Sequence, residues 1–328
     1  MLPLDVKTHK NLLAFSGGVD STALFFLLME QNIPFDIAIV NYNRRKQAKH
    51  EVVYALSLAL KYKKQCFIHD VHLEDSNFEH TARQIRYEFF EEIIEEYKYE
   101  TLLTAHQLND KLEWFFMQLS RGAGLSELLG LNERLEKPNY TILRPLLNVS
   151  KATLEAYLIG HKIKYFYDES NHDTAFTRNY FREEFCCKFI QKFEQGVQKS
   201  FQYLNNDLNS LNIAYTPLFI HNELEVFKNH HDDNLNIRII DASLKKRGYV
   251  LSYAQRQEII KQKEGVISNW AIQINSLGIF ICPRRQTVMP KKFKEACREY
   301  KIPKKIRAYL CDENIEIKQF YQMLLSFN

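Results

Sequence analysis

Seventeen residues near the start of the chain constrain it more than any others. The apolar run Leu12-Leu13-Ala14-Phe15 leads into Ser16-Gly17-Gly18-Val19-Asp20-Ser21, and Thr22-Ala23-Leu24-Phe25-Phe26-Leu27-Leu28 continues from there. The order predicts a buried strand, a glycine turn and the first turns of a helix. Adjacent glycines let the backbone approach an anion closely and take positive φ. The helix start adds unpaired N–H groups and the positive end of its dipole. With the hydroxyls of Ser16, Ser21 and Thr22, the turn reads as a phosphate cradle. The plainer alternative is a helix start that Asp20 and Ser21 merely cap. A Walker loop is excluded, because no Gly-Lys-Ser/Thr follows at the required spacing.

The alternation that begins here continues to about residue 160. Strands are expected at 12–15, 37–40, 66–71, 102–105 and 142–143, with helices at 21–30, 48–62, 80–97, 108–119 and 151–159. Short apolar runs separated by amphipathic helices predict a parallel sheet covered on both faces. Ligands of such sheets bind beyond the carboxyl ends of the strands. Polar residues cluster there: the glycine loop after the first strand, Asn41-Tyr42-Asn43-Arg44-Arg45 after the second, and His106-Gln107-Leu108-Asn109-Asp110 after the fourth, with Glu113 one turn on. From about 183 the chain reads as helical through 211. Beyond that it mixes short strands and helices, including helices at 238–247 and 253–261 and a hairpin of 270–274 with 277–282 around Asn275-Ser276.

At 328 residues the chain can bury more than one core. No apolar run approaches the roughly 20 residues of a membrane span. Met1-Leu2-Pro3-Leu4-Asp5 shows no secretory signal, so a cytoplasmic protein without membrane partners is expected. Its six cysteines include no Cys-x-x-Cys pair, which fits reduced thiols better than zinc or disulfides. The net charge is only +4, yet residues 284–307 carry ten Lys/Arg against Glu295 and Glu299. That stretch is either a solvated face or a nucleic-acid contact.

The hexapeptide resembles the pyrophosphate loop of the N-type ATP pyrophosphatases. Further strings, in order, resemble one family of that superfamily, the tRNA(Ile)-lysidine synthases. They are Ala82-Arg83-Gln84-Ile85-Arg86-Tyr87, Ala105-His106-Gln107-Leu108-Asn109-Asp110-Lys111-Leu112-Glu113, Arg121-Gly122-Ala123-Gly124-Leu125, Arg144-Pro145-Leu146-Leu147, Asp168-Glu169-Ser170-Asn171 and Arg178-Asn179-Tyr180-Phe181-Arg182. The likeness runs from about Leu12 to Glu183. Two positions depart from the family pattern: Tyr42 stands where a histidine is usual, and Asn109 where an aspartate is common.

The resemblance implies an α/β fold, a doubly wound and mostly parallel sheet with helices on both faces. A helical connector and a smaller α+β domain would follow. The implied limits are 1–185 for an ATP pyrophosphatase domain, 186–211 for the connector and 212–328 for a tRNA-binding accessory domain. It implies ATP-dependent ligation of L-lysine to C2 of the wobble cytidine of CAU-anticodon tRNA(Ile), through an adenylated base and with release of pyrophosphate and AMP. Ser16, Gly17, Gly18, Val19, Asp20, Ser21, Asn41 and Arg121 would bind ATP. Asp20 and Asp110 would hold Mg2+, and Asp20, His106, Asp110, Arg178 and Arg182 would serve the chemistry. A homodimer is implied as well. The competing readings are a tRNA thiolation enzyme, a small-molecule amide ligase with the same loop, and a non-catalytic nucleotide-binding or tRNA-binding module. Taken singly, His106 reads equally as a cap or core histidine, and Asp110 and Glu113 as acids favoured by a helix start.

Overall fold

The computed structural model describes residues 4–6, 10–43, 46–72, 78–167, 177–212 and 216–326. Arg44, Arg45 and the string Asp168-Glu169-Ser170-Asn171 lie outside the described residues. The chain divides into two compact units, Met1–Asn205 and Asn206–Asn328.

In the first unit the elements are β1 (Asn11–Ala14), α1 (Val19–Glu30), β2 (Phe35–Asn41), α2 (Lys46–Tyr62), β3 (Cys66–Asp70), α3 (Phe78–Tyr97), β4 (Thr101–Leu103), α4 (Leu108–Leu119), α5 (Leu125–Leu128), β5 (Arg134–Glu136), β6 (Thr141–Leu143), α6 (Lys151–Gly160) and α7 (Thr177–Phe181). A π-helical turn, Arg182–Cys186, then passes into α8 (Cys187–Asn212). The sheet order is β3-β2-β1-β4-β6-β5. All neighbours are parallel except β5, which pairs antiparallel with β6.

Successive side chains of a strand face opposite sides, so Leu12 and Leu13 enter different cores. Leu13 packs with Phe25, Leu28, Ala55, Leu58, Leu154 and Leu158 of α1, α2 and α6. Leu12 packs with Phe90, Ile93 and Ile94 of α3 on the other face. Both leucines are fully buried, which is why these strands read as continuous apolar runs. The chain leaves β1 toward β2 and later returns to its other side as β4. The crevice of a doubly wound sheet lies at such a reversal. The glycine loop follows β1 and the His106 loop follows β4, so the two flank that point.

In the second unit a five-stranded antiparallel sheet has the order β7 (Phe219–His221), β8 (Leu224–Phe227), β11 (Gly278–Pro283), β10 (Trp270–Asn275), β9 (Glu264–Ile267). The predicted hairpin is β10–β11, closed by the pair Asn275 and Gly278. Gly278 has φ +150°, and a Cβ there would stand 2.7 Å from the carbonyl oxygen of Phe227. Helices α9 (Asp233–Lys245) and α10 (Tyr253–Gln262) cover one face through Ile237, Ile240, Leu244 and Ile259. Helices α11 (Lys291–Glu299), α12 (Arg307–Asp312) and α13 (Ile317–Ser326) cover the other through Cys297, Leu310, Phe320 and Leu324. Among the described residues, no helix is long and apolar enough to cross a membrane.

Candidate active site

The loop after β1 is held open by its own polar groups. Gly17 takes φ +75°, and its carbonyl accepts the N–H of Phe166 at 3.0 Å. Gly18 keeps ordinary extended geometry (φ −74°, ψ 174°), so only the first glycine supplies a left-handed residue. The Ser21 hydroxyl accepts the N–H of Ser16 at 3.2 Å and lies 3.0 Å from the Ser16 hydroxyl. Gly18 caps α1 without a side chain, and its own N–H donates to Ser16 Oγ at 3.4 Å.

Asp20 stands in the first turn of α1. One of its carboxylate oxygens is buried with no hydrogen-bond partner, as is the hydroxyl of Thr22. Burial, and then the charge of Asp110, push the Asp20 carboxyl up to about 7, with Lys151 and Arg182 pulling the other way. A buried acceptor left without a partner costs about 1–3 kcal/mol. An orphaned carboxylate oxygen beside a phosphate cradle fits a cation. Among the described residues no three metal-ligating side chains cluster. A cation on Asp20 would therefore complete its shell with phosphate oxygens and water, as Mg2+ commonly does.

Facing the loop is a closed set of two acids and two arginines. Gln107 caps α4: its side chain accepts the N–H of Asn109 at 2.6 Å, while its own N–H donates to Asp110 Oδ2 at 2.9 Å. The other Asp110 oxygen pairs with Arg178. Glu113, one turn on and 1% exposed at its side chain, accepts Arg178 Nε at 2.9 Å and Arg182 Nε at 2.8 Å. A third bond comes from Arg182 Nη2 at 3.1 Å. Burial alone would raise the Asp110 carboxyl, but Arg178 and its other neighbours hold it below the usual range. Burial likewise works to lower the Arg178 pKa, and Asp110 and Glu113 reverse it to a net rise. Asp110, Arg178 and Arg182 are the residues expected here from the sequence; Glu113 is the residue that joins them. Because both Asp110 oxygens are engaged, the orphaned oxygen of Asp20 is the better fit for a cation.

His106 sits beside this set, its Nδ1 3.0 Å from the Thr104 hydroxyl. Burial drives its imidazole down to about 4; Asp110 opposes this, while Arg144, Arg178 and Arg83 add to it. The ring is therefore neutral at pH 7. Arg144, 5% exposed, donates to the carbonyl of Asn132 at 2.6 Å, and its Nε is buried without a partner. It follows β6, which is parallel to β4, so it lies at the same sheet edge as His106. The Arg-Pro-Leu-Leu string was the only sequence signal for it. Asn109 is structural: its side chain accepts the N–H of Lys151 at 3.2 Å and so ties α6 to α4.

Two further candidates stand apart. Asn41 ends β2 at the crevice edge, but its side-chain amide donates to Asp70 at 2.6 Å and to Asn43 at 3.1 Å. Arg121 is exposed and follows the far end of α4, roughly 16 Å along the helix axis from Asp110. The structure does not bring it to the acid–arginine set.

Tyr42, the departure from the family pattern, is a fastener. Its hydroxyl donates to the carbonyl of Ala82 at 2.8 Å and accepts Arg86 Nε at 3.1 Å, while the guanidinium lies 5.9 Å from its ring centre. Tyr42→Phe keeps the ring and loses both bonds. It is expected to cost about 1–2 kcal/mol in urea denaturation. An unchanged midpoint would show that Tyr42 does not hold α3.

Residues 2–188 match the PP-loop domain family. The chain is 44% identical over 306 residues to the tRNA(Ile)-lysidine synthase of Wolinella succinogenes, covering 93% of each chain. It is 43% identical over 313 residues to that of Campylobacter jejuni strain RM1221, covering 95% of each. With that of Helicobacter pylori strain 26695 it shares 40% identity over 320 residues and 94% of each chain. Among solved structures, the U34-tRNA thiolase NcsA from Methanococcus maripaludis with its [4Fe-4S] cluster superposes with a TM-score of 0.50. At 18% identity, with 62% of this chain and 74% of that one covered, it shows the fold alone. An intact phosphate loop facing an acid–arginine set, and likeness to these synthases along nearly the whole sequence, agree: the chain belongs to the tRNA(Ile)-lysidine synthase family, whose members are ligases built on a PP-loop domain that uses ATP.

Proposed function

We propose that the chain joins L-lysine, through its ε-amino group, to C2 of the wobble cytidine of CAU-anticodon tRNA(Ile). A ring carbonyl oxygen is a poor leaving group, so the base is first activated. Its C2 oxygen attacks the α-phosphorus of ATP and pyrophosphate leaves; the lysine amine then displaces AMP. The observation that carries this reading is the convergence, at the sheet's reversal point, of the glycine loop with Asp110, Glu113, Arg178 and Arg182.

The loop N–H groups with Ser16, Ser21 and Thr22 receive the pyrophosphate. Asp20 would hold Mg2+, which supplies positive charge to the phosphate oxygens when bound. Arg178 and Arg182 are fixed by Glu113 before any substrate arrives, and such preorganised charge is what a developing phosphate charge needs. Arg178 spends Nε and one terminal nitrogen on carboxylates, leaving further donors for substrate. His106 is neutral at working pH and suits hydrogen bonding better than taking a proton from an ammonium group. Residues 206–328 would serve tRNA binding, and a cytoplasmic setting and a homodimer belong to the same proposal.

A thiolation enzyme with the same loop would need a reactive cysteine at the crevice. Cys66 begins β3, at the opposite sheet edge, and burial raises the Cys186 thiol, keeping it protonated. The test is direct. With ATP, radiolabelled lysine and CAU-anticodon tRNA(Ile), label is expected in the RNA with release of pyrophosphate. Folded protein that releases pyrophosphate without incorporating lysine would overturn the reading.

A further inference from the structure

The basic residues of 284–307 do not form one continuous face. Lys291, Lys292 and Lys294 lie on the first turn of α11. Arg284 and Arg285 follow β11, and Lys304 and Lys305 begin a 3-10 turn (Lys304–Ile306) some twenty residues later. These two segments line a single open groove of about 570 Å³, together with Val266, Ala271, Val288, Met289 and Ala308. The backbone fixes both walls: Arg284 N–H donates to the carbonyl of Asn269 at 2.6 Å, and Lys305 N–H to Gln273 Oε1 at 3.0 Å. Thr287 is tied to Asp312 at 2.8 Å, which sets the loop between them.

The charge in the groove is unbalanced. Lys305 pairs with Glu264 at 3.3 Å. Among the described residues, Arg284, Arg285 and Lys304 have no carboxylate within ion-pair distance. Exposed cations gathered from separate segments around one groove raise its positive potential, and such a patch suits a polyanion. The lining offers no carboxylate to read a ribose or an amine. The groove is also open, with Val288 94% exposed at its rim.

We infer that this groove is a docking site for the phosphodiester backbone of RNA, with phosphates on Arg284, Arg285 and Lys304. It would act by charge and without reading bases. This rests on the proposed tRNA substrate and adds the place where the second unit grips it.

The test uses the full-length chain carrying Arg284→Gln, Arg285→Gln and Lys304→Gln together. Each lost phosphate contact lowers the salt dependence of log K by about 0.9 on duplex and about 0.7 on single strands. Removing three lowers the slope for full-length tRNA by about 2–3, with affinity at least tenfold weaker. Lysine ligation to a short anticodon stem-loop at saturating concentration should be unchanged. Because binding is read separately from ligation, absence of ligation in both proteins would reject the proposed function without touching the groove. An unchanged salt slope in a triple variant with native thermal stability would overturn the groove proposal. So would loss of binding to free ATP, titrated separately, with the tRNA slope intact, since the groove would then serve a small phosphate ligand.

Discussion

Asp20→Asn is expected to be more stable than the native chain at pH 8 and nearly equal to it at pH 4. Burial pushes the carboxyl up to about 7 in the folded protein from its ordinary 3.8, so between those values the folded state holds the extra proton. Stability contributed by this group therefore falls as pH rises from about 4 to about 7, and stays low above that. The difference bounds the effect at about 4 kcal/mol, and about 1–3 is expected after relaxation. For a unit of this size that is several degrees in melting temperature. His106 has the opposite slope. Burial lowers its pKa to about 4 in the folded protein from the ordinary 6.5, so its contribution rises with pH across that interval. The two partly cancel in the native curve, and the comparison between the two proteins isolates Asp20. Thermal melts across pH 4–9, with lysine incorporation measured in parallel, check the result. The gap should shrink when Mg2+ and ATP are added to the native protein, because a cation on the orphaned oxygen removes the penalty. Activity should be lost in the variant. Melting curves that stay parallel at every pH would contradict a strained Asp20.

Glu113→Ala is the second large effect. Glu113 takes three N–H bonds from two arginines and is almost wholly buried. Removing one partner of a buried pair typically costs 3–5 kcal/mol, because a charge is left poorly compensated. Arg178 still has Asp110 and is 43% exposed, so the burden falls on Arg182, which is 19% exposed and 4.0 Å from Asp110. Chemical denaturation should show a loss of about 3 kcal/mol for Glu113→Ala and a smaller one for Glu113→Gln. Arg182→Ala added to Glu113→Ala should cost less than it does alone, giving a coupling of about 1–3 kcal/mol. Lysine incorporation should fall steeply in both Glu113 variants. Additive losses in the cycle would show that the carboxylate and the guanidinium act independently.

Most of the sheet was legible because its signal is local. Leu12, Leu13, Ile37 and Leu102 are buried on both sheet faces, so composition alone marks their strands. The start of α4 was readable for the same reason, its cap being set by neighbouring Gln107 and Asp110. β5 was missed because Arg134, Leu135 and Glu136 are all exposed and carry no apolar pattern. The Asn41 and Arg121 assignments came from motif strings, which fix order along the chain and not direction in space. Glu113 as the hub of the arginines was not legible at all. Its partners lie about 65 residues away and depend on how α7 meets α4.

The π-helical turn Arg182–Cys186 is equivalent to one extra residue wedged into the helix that runs from α7 to the break in α8 at Phe193. One residue corresponds to about 100° of rotation. The wedge thus sets the phase between the arginines pointing at Glu113 and the part of α8 before Phe193. For this stretch, chain length matters as well as residue identity: Phe185 packs on Phe116, Tyr180 and Phe181, and deleting any one residue would let the helix rewind and turn Arg178 and Arg182 away from their acids.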